Sequence, residues 1–239
     1  MERIDVAVIG GGQSGLAIAH ALLWRGLRPV VLEASGRAAG SWPRYYDSLT
    51  LFSPARYSSL PGMPFPGADR DRYPHRDEVV AYLTAYADRS DAEIRTGCRV
   101  STVRRTGLDT APLGRFPSRP PTDDDRYRAA LAAGQPERRP LFTGADGTKL
   151  VWPDGQREEV DAIVLATGYR PDLPYLARLD GALDAEGDPR HRGGLATNVP
   201  GLAFVGLERQ RSLSSNSLRG VGRDAERIAW RLAALLARR

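Results

Sequence analysis

Hydrophobic and polar positions near the start of the chain alternate between two rhythms. "IDVAVIG" (residues 4–10) is a short apolar run rich in β-branched residues, the pattern of a parallel strand buried on both faces. "SGLAIAHALLWRG" (14–26) switches to helical spacing, with Gly26 as its stop, and "RPVVLEAS" (28–35) returns to strand character. Further on, "EIRTGCRV" (93–100), "DAIVLATG" (161–168) and "LAFVGL" (202–207) read as strands. The last segment places Val221, Ala225, Ile228, Leu232 and Leu235 on one helical stripe. In between, prolines 112, 117, 120, 121, 136 and 140 break any long element. Asp123 to Asp125 predict the cap of a short helix through Leu131, and "KLVWPDGQREEV" (149–160) predicts a hairpin around Asp154-Gly155. The succession predicts an α/β, Rossmann-like domain with three layers and a mostly parallel central sheet.

The first strand-to-helix turn carries chemistry. Gly10-Gly11-Gly12-Gln13-Ser14-Gly15 fits GxGxxG, with glycines at 10, 12 and 15. Such a turn needs Gly10 for its tightness, Gly12 for backbone approach to a pyrophosphate and Gly15 for helix-on-strand packing. The helix beyond it, opening with Gln13 and Ser14, offers N–H groups to a diphosphate. Glu33, closing the second strand, suits the adenosine ribose hydroxyls as a hydrogen-bond acceptor. A 2′-phosphate would meet like charge there, so FAD or NAD fits better than NADP.

Three later stretches extend this picture: "GRAAGSWPRYYDSLTLFSPARYSSLPGMPFPG", "YPHRDEVVAYLTAYA" and "VDAIVLATGYRPDLPYL". With the opening, they resemble the flavin-containing monooxygenase group and its bacterial CzcO-like branch, which use FAD and NADPH to oxygenate soft nucleophiles or ketones. The resemblance implies FAD as cofactor, with Gly40, Ser41 and Trp42 along the flavin and Thr167 and Gly168 near the cofactor's middle. Relatives commonly carry a histidine where Phe52 stands, so any role of that histidine is lost here. The terminal helix, starting around Ser217 and Leu218, would direct its N-terminus at the flavin's pyrimidine end. Its dipole would stabilise negative charge there by about 0.3–1 kcal/mol.

Relatives also carry a second glycine cradle for NADPH inserted within the FAD domain. No stretch between residues 97 and 160 reads strand, glycine turn, helix, strand. The expectation is therefore a single FAD-binding domain over residues 1–239. Its halves, 1–107 and 151–239, are joined by the proline-rich segment 108–150 at the place where relatives insert the NADPH domain.

Composition narrows the alternatives. All but one of the 34 basic residues are arginine, Lys149 being the exception, and they lie scattered among acids. The net charge of +5 therefore makes no basic stripe, and nucleic acid is not an expected partner. No run approaches the roughly 20 apolar residues of a membrane span, and Glu2 and Asp5 are unlike a signal peptide, so a cytoplasmic protein is expected. A lone cysteine, Cys98, excludes an internal disulfide and a CxxC motif. Neither metal-ligand spacing nor a Ser-His-Asp grouping appears; His20 is expected to pack or face solvent, and His75 and His191 to be solvated in loops. No catalytic residue is assigned. Substrate contacts are sought in the Trp42 to Phe52 loop and among Arg209, Gln210, Arg211, Asn216 and Arg219, with plain loop support as the alternative.

The sequence thus predicts an FAD-dependent oxidoreductase acting on a small molecule. It would work as oxidase or monooxygenase, with electrons from its substrate, from free NAD(P)H or from a reductase partner. The alternatives are a non-catalytic FAD-binding module and an NAD-dependent dehydrogenase.

Overall fold

β-Branched runs at the start of the chain pair side by side, as their pattern requires. The computed structural model describes residues 4–104, 129, 132–134, 143–146, 148–160 and 171–237. In it β1 (Val6–Ile9), β2 (Pro29–Leu32) and β3 (Glu93–Arg95) form a parallel sheet in the order β1-β2-β3. Val8 stands opposite Val31, and Val31 opposite Ile94. β2, at the centre, buries Val30 and Val31. β1 does not match the prediction of burial on both faces: only Val8 of its four residues is buried, and Ile9 is 39% exposed. The stretch predicted to run beside it, 161–168, lies outside the described residues, as do the predicted cap at Asp123 to Asp125 and most of segment 108–150.

Helix α1 (Gln13–Leu23) connects β1 to β2 and is alanine-rich, with Leu16, Ala17, Ile18, Ala19, Ala21 and Leu22 all buried. Its end is sharp: Gly26 adopts φ +70°, and the N–H of Leu27 returns to the carbonyl of Leu22. Helix α2 (Arg76–Asp88) starts with a reciprocal cap. The His75 side chain accepts from the Asp77 N–H at 3.3 Å, and Glu78 accepts from the His75 N–H at 2.9 Å. His75 is thus a helix cap rather than a solvated loop residue. The terminal helix α3 (Leu218–Leu236) packs against α1. Its predicted stripe is buried at Val221, Ala225, Ile228 and Leu232, while Leu235 is half-buried. Fully burying an aliphatic side chain of this size stabilises by about 1.5–3 kcal/mol, so the α1–α3 seam is a principal source of stability.

Two tyrosines of α2 fasten the loop in front of it. Tyr82 accepts from the Leu60 N–H (2.7 Å) and donates to the Met63 carbonyl (2.6 Å), and Tyr86 donates to the Pro61 carbonyl (2.7 Å). Burial pushes the Tyr82 hydroxyl up to about 12 and Tyr86 higher still, so both remain proton donors at any working pH.

The predicted strand over 202–207 is a single bridge, Leu195 to Ala203. The reason is competition for its backbone. The short hairpin β7 (His191–Arg192) and β8 (Leu195–Ala196) uses it, Phe204 donating to the Gly194 carbonyl and Ala196 to the Leu202 carbonyl. The chain divides into two compact units, residues 1–115 with 171–239, and residues 116–170. Among the described residues of the smaller unit, β4 (Gly144–Asp146), β5 (Lys149–Val151) and β6 (Arg157–Glu159) form an antiparallel sheet. The β5–β6 turn holds Gly155 at φ +83°, which is the predicted hairpin.

Candidate functional site

The turn between β1 and α1 is built by close backbone approach. Gly10 adopts φ +98° and donates its N–H to the Leu32 carbonyl at 2.9 Å, which joins the end of β1 to the end of β2. At Gly15 a Cβ atom would lie 1.8 Å from the Gly10 carbonyl oxygen. No side chain can stand there, so α1 rests directly on the turn. Gly12 is the residue preceding α1, and its first turn contains no acidic side chain. The N-terminus of α1 therefore keeps its positive end uncompensated by carboxylates of its own, as an anion site requires.

A second loop closes on this turn. Gly40 adopts φ +61°, and a Cβ there would lie 2.7 Å from the Gly12 Cα. Predicted as a flavin neighbour, Gly40 has a first task that sequence alone did not show: it lets two backbones touch. Two residues on, Trp42 opens a short 3-10 turn (Trp42–Arg44), its ring edge-on to Tyr45 at 5.4 Å. The Trp42 indole N–H donates to Gln13 Oε1 (3.1 Å), and Gln13 Nε2 donates to the Asn216 carbonyl (2.7 Å). Ser41 donates to the Tyr45 hydroxyl (3.1 Å).

Glu33 is buried, 6% exposed. Its Oε2 accepts from the Gly11 N–H at 2.5 Å, and its Oε1 from the Ser35 N–H (2.8 Å) and hydroxyl (2.6 Å). Burial alone pushes the carboxyl up. The Ser35 hydroxyl, the Ser35 and Gly11 N–H groups and the charge of Arg44 outweigh it, so Glu33 titrates below the usual carboxylate range. An ionised carboxylate with one protein donor on Oε2 retains acceptor capacity for a hydroxyl. Gly11 and Ser35, its partners, were not among the predicted site residues; Gly11 is the unassigned position inside GxGxxG.

The far end of the chain reaches the same place. Gly206 (φ +87°) abuts Ser14, whose Oγ would lie 2.0 Å from a Cβ there. Ser217 precedes α3 and donates to the Ser214 carbonyl (2.7 Å) rather than capping the helix. Leu218 buries its side chain in the core, which leaves its backbone at the start of α3 as the part a ligand could meet. Gly10, Gly12, Gln13, Ser14, Gly15, Glu33, Gly40, Trp42 and the residues next to Ser217 thus converge, whereas Thr167 and Gly168 lie outside the described residues.

The other substrate candidates divide. Gln210 is 5% exposed, with Oε1 accepting from the Leu207 N–H (3.1 Å), so it supports the loop from inside. Arg211 donates to Asp224 (2.6 Å), a carboxylate 1% exposed on α3. Arg219 stacks over the Tyr57 ring at 4.8 Å. Arg209 sits at φ +54°, an uncommon conformation for a residue with a side chain. Phe52 is 84% exposed. Burial lowers the pKa of His20, with the Glu226 charge acting against it, and of His191, whose Nδ1 accepts from the Gly194 N–H at 3.1 Å.

Fold and site define the class: an FAD-binding Rossmann fold of the two-dinucleotide flavoprotein type. Within it, residues 7–110 match the family model of pyridine nucleotide-disulphide oxidoreductases. The chain is similar to the uncharacterized oxidoreductase CzcO of Bacillus velezensis, 37% identical over 101 residues, 42% of this chain and 29% of that protein. It is also similar to indole-3-pyruvate monooxygenase YUCCA1 of Oryza sativa subsp. japonica, 41% identical over 105 residues, 44% of this chain and 25% of that one. Against these curated relatives the chain spans less than a third of their length. Among solved structures, the flavin-containing monooxygenase of Stenotrophomonas maltophilia aligns with a TM-score of 0.78 at 25% identity, over 98% of this chain and 99% of that one. The bacillithiol disulfide reductase of Staphylococcus aureus aligns over the same shares with a TM-score of 0.69 at 14% identity, a likeness of fold. Among the described residues, no helix is long and apolar enough to cross a membrane.

Proposed function

We propose that this chain is an FAD-dependent oxidoreductase of the flavin monooxygenase type, acting on a small molecule. The observation that carries the reading is the glycine interlock. Gly15 beneath the Gly10 carbonyl and Gly40 against Gly12 leave room only for backbone at the N-terminus of α1, while the buried, ionised Glu33 closes β2. These residues fit a dinucleotide. Gly10, Gly12, Gln13, Ser14 and Gly15 would cradle its pyrophosphate and Glu33 its ribose hydroxyls. Gly40, Ser41 and Trp42 would lie along the flavin, and the backbone at Ser217 and Leu218 at the pyrimidine end.

When bound, FAD supplies the two-electron chemistry itself. The chain's own part is to bind, orient and control access: the α1 N-terminus neutralises diphosphate charge, Glu33 favours unphosphorylated ribose, and the Trp42 loop and the residues before α3 bound the far side. Electrons would come from the substrate, from free NAD(P)H or from a reductase partner. The proline-rich segment 108–150 would mark the place where relatives insert an NADPH domain.

The test is a spectrum followed by an anaerobic reductant panel. The full chain, loaded with FAD and desalted, is expected to stay yellow; a colourless protein that binds NAD instead would overturn the proposal. Bleaching by NAD(P)H identifies the donor, bleaching only by a candidate substrate indicates an oxidase, and retained FAD without turnover indicates a binding module.

A further inference from the structure

We infer that the Gln13 side chain is a positioning residue that couples the seating of the dinucleotide to closure of the 207–217 loop, an inference that rests on the cofactor reading above. Gln13 is the first residue of α1, so its backbone belongs to the turn that would hold the pyrophosphate. Its amide ties two distant segments together, accepting from Trp42 and donating to Asn216.

The chemistry of the partners fixes the amide's orientation. An indole N–H can only donate and a peptide carbonyl can only accept, so Oε1 must face Trp42 and Nε2 must face Asn216. A glutamate here could satisfy Trp42 but would oppose the Asn216 carbonyl; a lysine could satisfy Asn216 but not Trp42. A side chain of this length that both accepts and donates serves both.

Each tied segment borders the cradle. Trp42 follows Gly40, whose backbone touches Gly12. Asn216 immediately precedes Ser217, the residue that opens α3. The loop between Leu207 and Asn216 is otherwise held from its own side. The Ser215 hydroxyl accepts from the Arg211 and Ser212 N–H groups, and Arg211 reaches back to Asp224 on α3. Among the described residues, Gln13 is therefore the hydrogen-bonded route by which events at the α1 N-terminus reach this loop. A ligand that restrains Gly12, Gly40 and Trp42 restrains the amide, and the amide restrains the position from which α3 begins.

Amide hydrogen exchange on the full chain tests this, with wild type, Gln13→Met and Gln13→Glu compared with and without saturating FAD. Without FAD, Gln13→Met is expected to speed exchange across 207–217 about two- to thirteenfold, the effect of a net hydrogen bond of about 0.5–1.5 kcal/mol. Exchange in α2 and β2 should stay at wild-type rates, which a merely destabilising substitution would not permit. With FAD bound to the same measured occupancy in both proteins, the loop should become protected in wild type and less so in Gln13→Met. Gln13→Glu should match Gln13→Met in loop exchange, and it serves as the second variant should Gln13→Met fail to fold. Equal loop exchange in wild type and both Gln13 variants without FAD would overturn the clamp. Equal FAD protection in wild type and Gln13→Met would overturn the coupling. Wild type that takes up no FAD would overturn the cofactor reading, and the ligand-free comparison would still decide the clamp.

Discussion

Replacing Gly15 with alanine sets two effects of opposite sign against each other. Gly15 lies inside α1, where alanine is favoured over glycine by about 1 kcal/mol. The added methyl, however, would stand 1.8 Å from the Gly10 carbonyl oxygen and 2.9 Å from its carbon. These are backbone atoms of a residue that donates to the Leu32 carbonyl, so they cannot yield as a flexible side chain would. Relief requires α1 to lift away from the turn by more than an ångström, against the α3 seam packed on its other side. Overpacking of this kind costs about 1–3 kcal/mol and occasionally more, and a backbone clash belongs at the top of that range. The net expectation is a loss of about 2 kcal/mol, or roughly 4–8 °C in Tm for a chain of this size. Differential scanning calorimetry of Gly15→Ala beside Gly36→Ala checks it. Gly36 has nothing within 4 Å of its notional Cβ and no positive φ, so that control should melt within a degree of wild type. FAD affinity should fall with Gly15→Ala and be kept with Gly36→Ala. A Gly15→Ala protein as stable as wild type, or more so, would mean that propensity wins and that α1 does not rest rigidly on the turn.

Arg211→Met removes the hydrogen-bonded partner of the buried Asp224 carboxylate and is expected to cost about 1.5–3 kcal/mol, with Arg211→Lys restoring part of it, read by urea denaturation. Tyr86→Phe deprives the Pro61 carbonyl of its donor and should cost about 1 kcal/mol, a drop of roughly 2–4 °C by calorimetry. Acidification should destabilise in two stages. His20 and His191 have pKa values held below the ordinary 6.5, so the unfolded chain binds the extra protons and stability falls as pH drops below 6.5. Glu33 is depressed below 4.5, so its contribution stays complete above that pH and is lost as pH falls further; Glu33→Gln should flatten the second stage in a stability–pH profile.

What was legible in the sequence was whatever a local pattern dictates. The apolar runs and the helical spacing gave β1, α1, β2 and α3, because period and branching act over a few residues at a time. GxGxxG was legible for the same reason, each glycine answering a steric demand made by its immediate neighbours. Legibility ended where a residue's task is set by a partner far along the chain. Gly40 was read as a flavin neighbour, and nothing near it announces that it must lie against Gly12. Gln210 looked like a substrate contact because polar residues in a loop usually face solvent, yet its amide supports Leu207 from inside. His75 stood among arginines and read as solvated, although the Glu78 that completes its reciprocal cap was visible three positions on. The stretch 202–207 had the composition of a strand, but composition cannot show that the β7–β8 hairpin takes up its hydrogen bonds.

Gln210 and the 202–207 stretch belong to the part of the chain that returns to α1, with Gly206 against Ser14 and Asn216 on Gln13. A site assembled from both ends of a polypeptide requires each end to present surfaces specified by the other. Its residues are therefore chosen for fit across sequence separations such as the 203 positions between Gln13 and Asn216, not for local propensity. The cradle itself needs only its own strand, turn and helix. Placing the α3 N-terminus beside it needs the return of the chain, and that return rests on the α1–α3 seam together with a few specific ties: Gly206 against Ser14, Asn216 on Gln13, and Gly222 under Pro61. Substitutions at Gly206 and Gly222, the partners that lie outside the cradle, should then separate two properties that substitutions in the cradle would lose together, retention of the nucleotide half of the cofactor and the environment of its flavin.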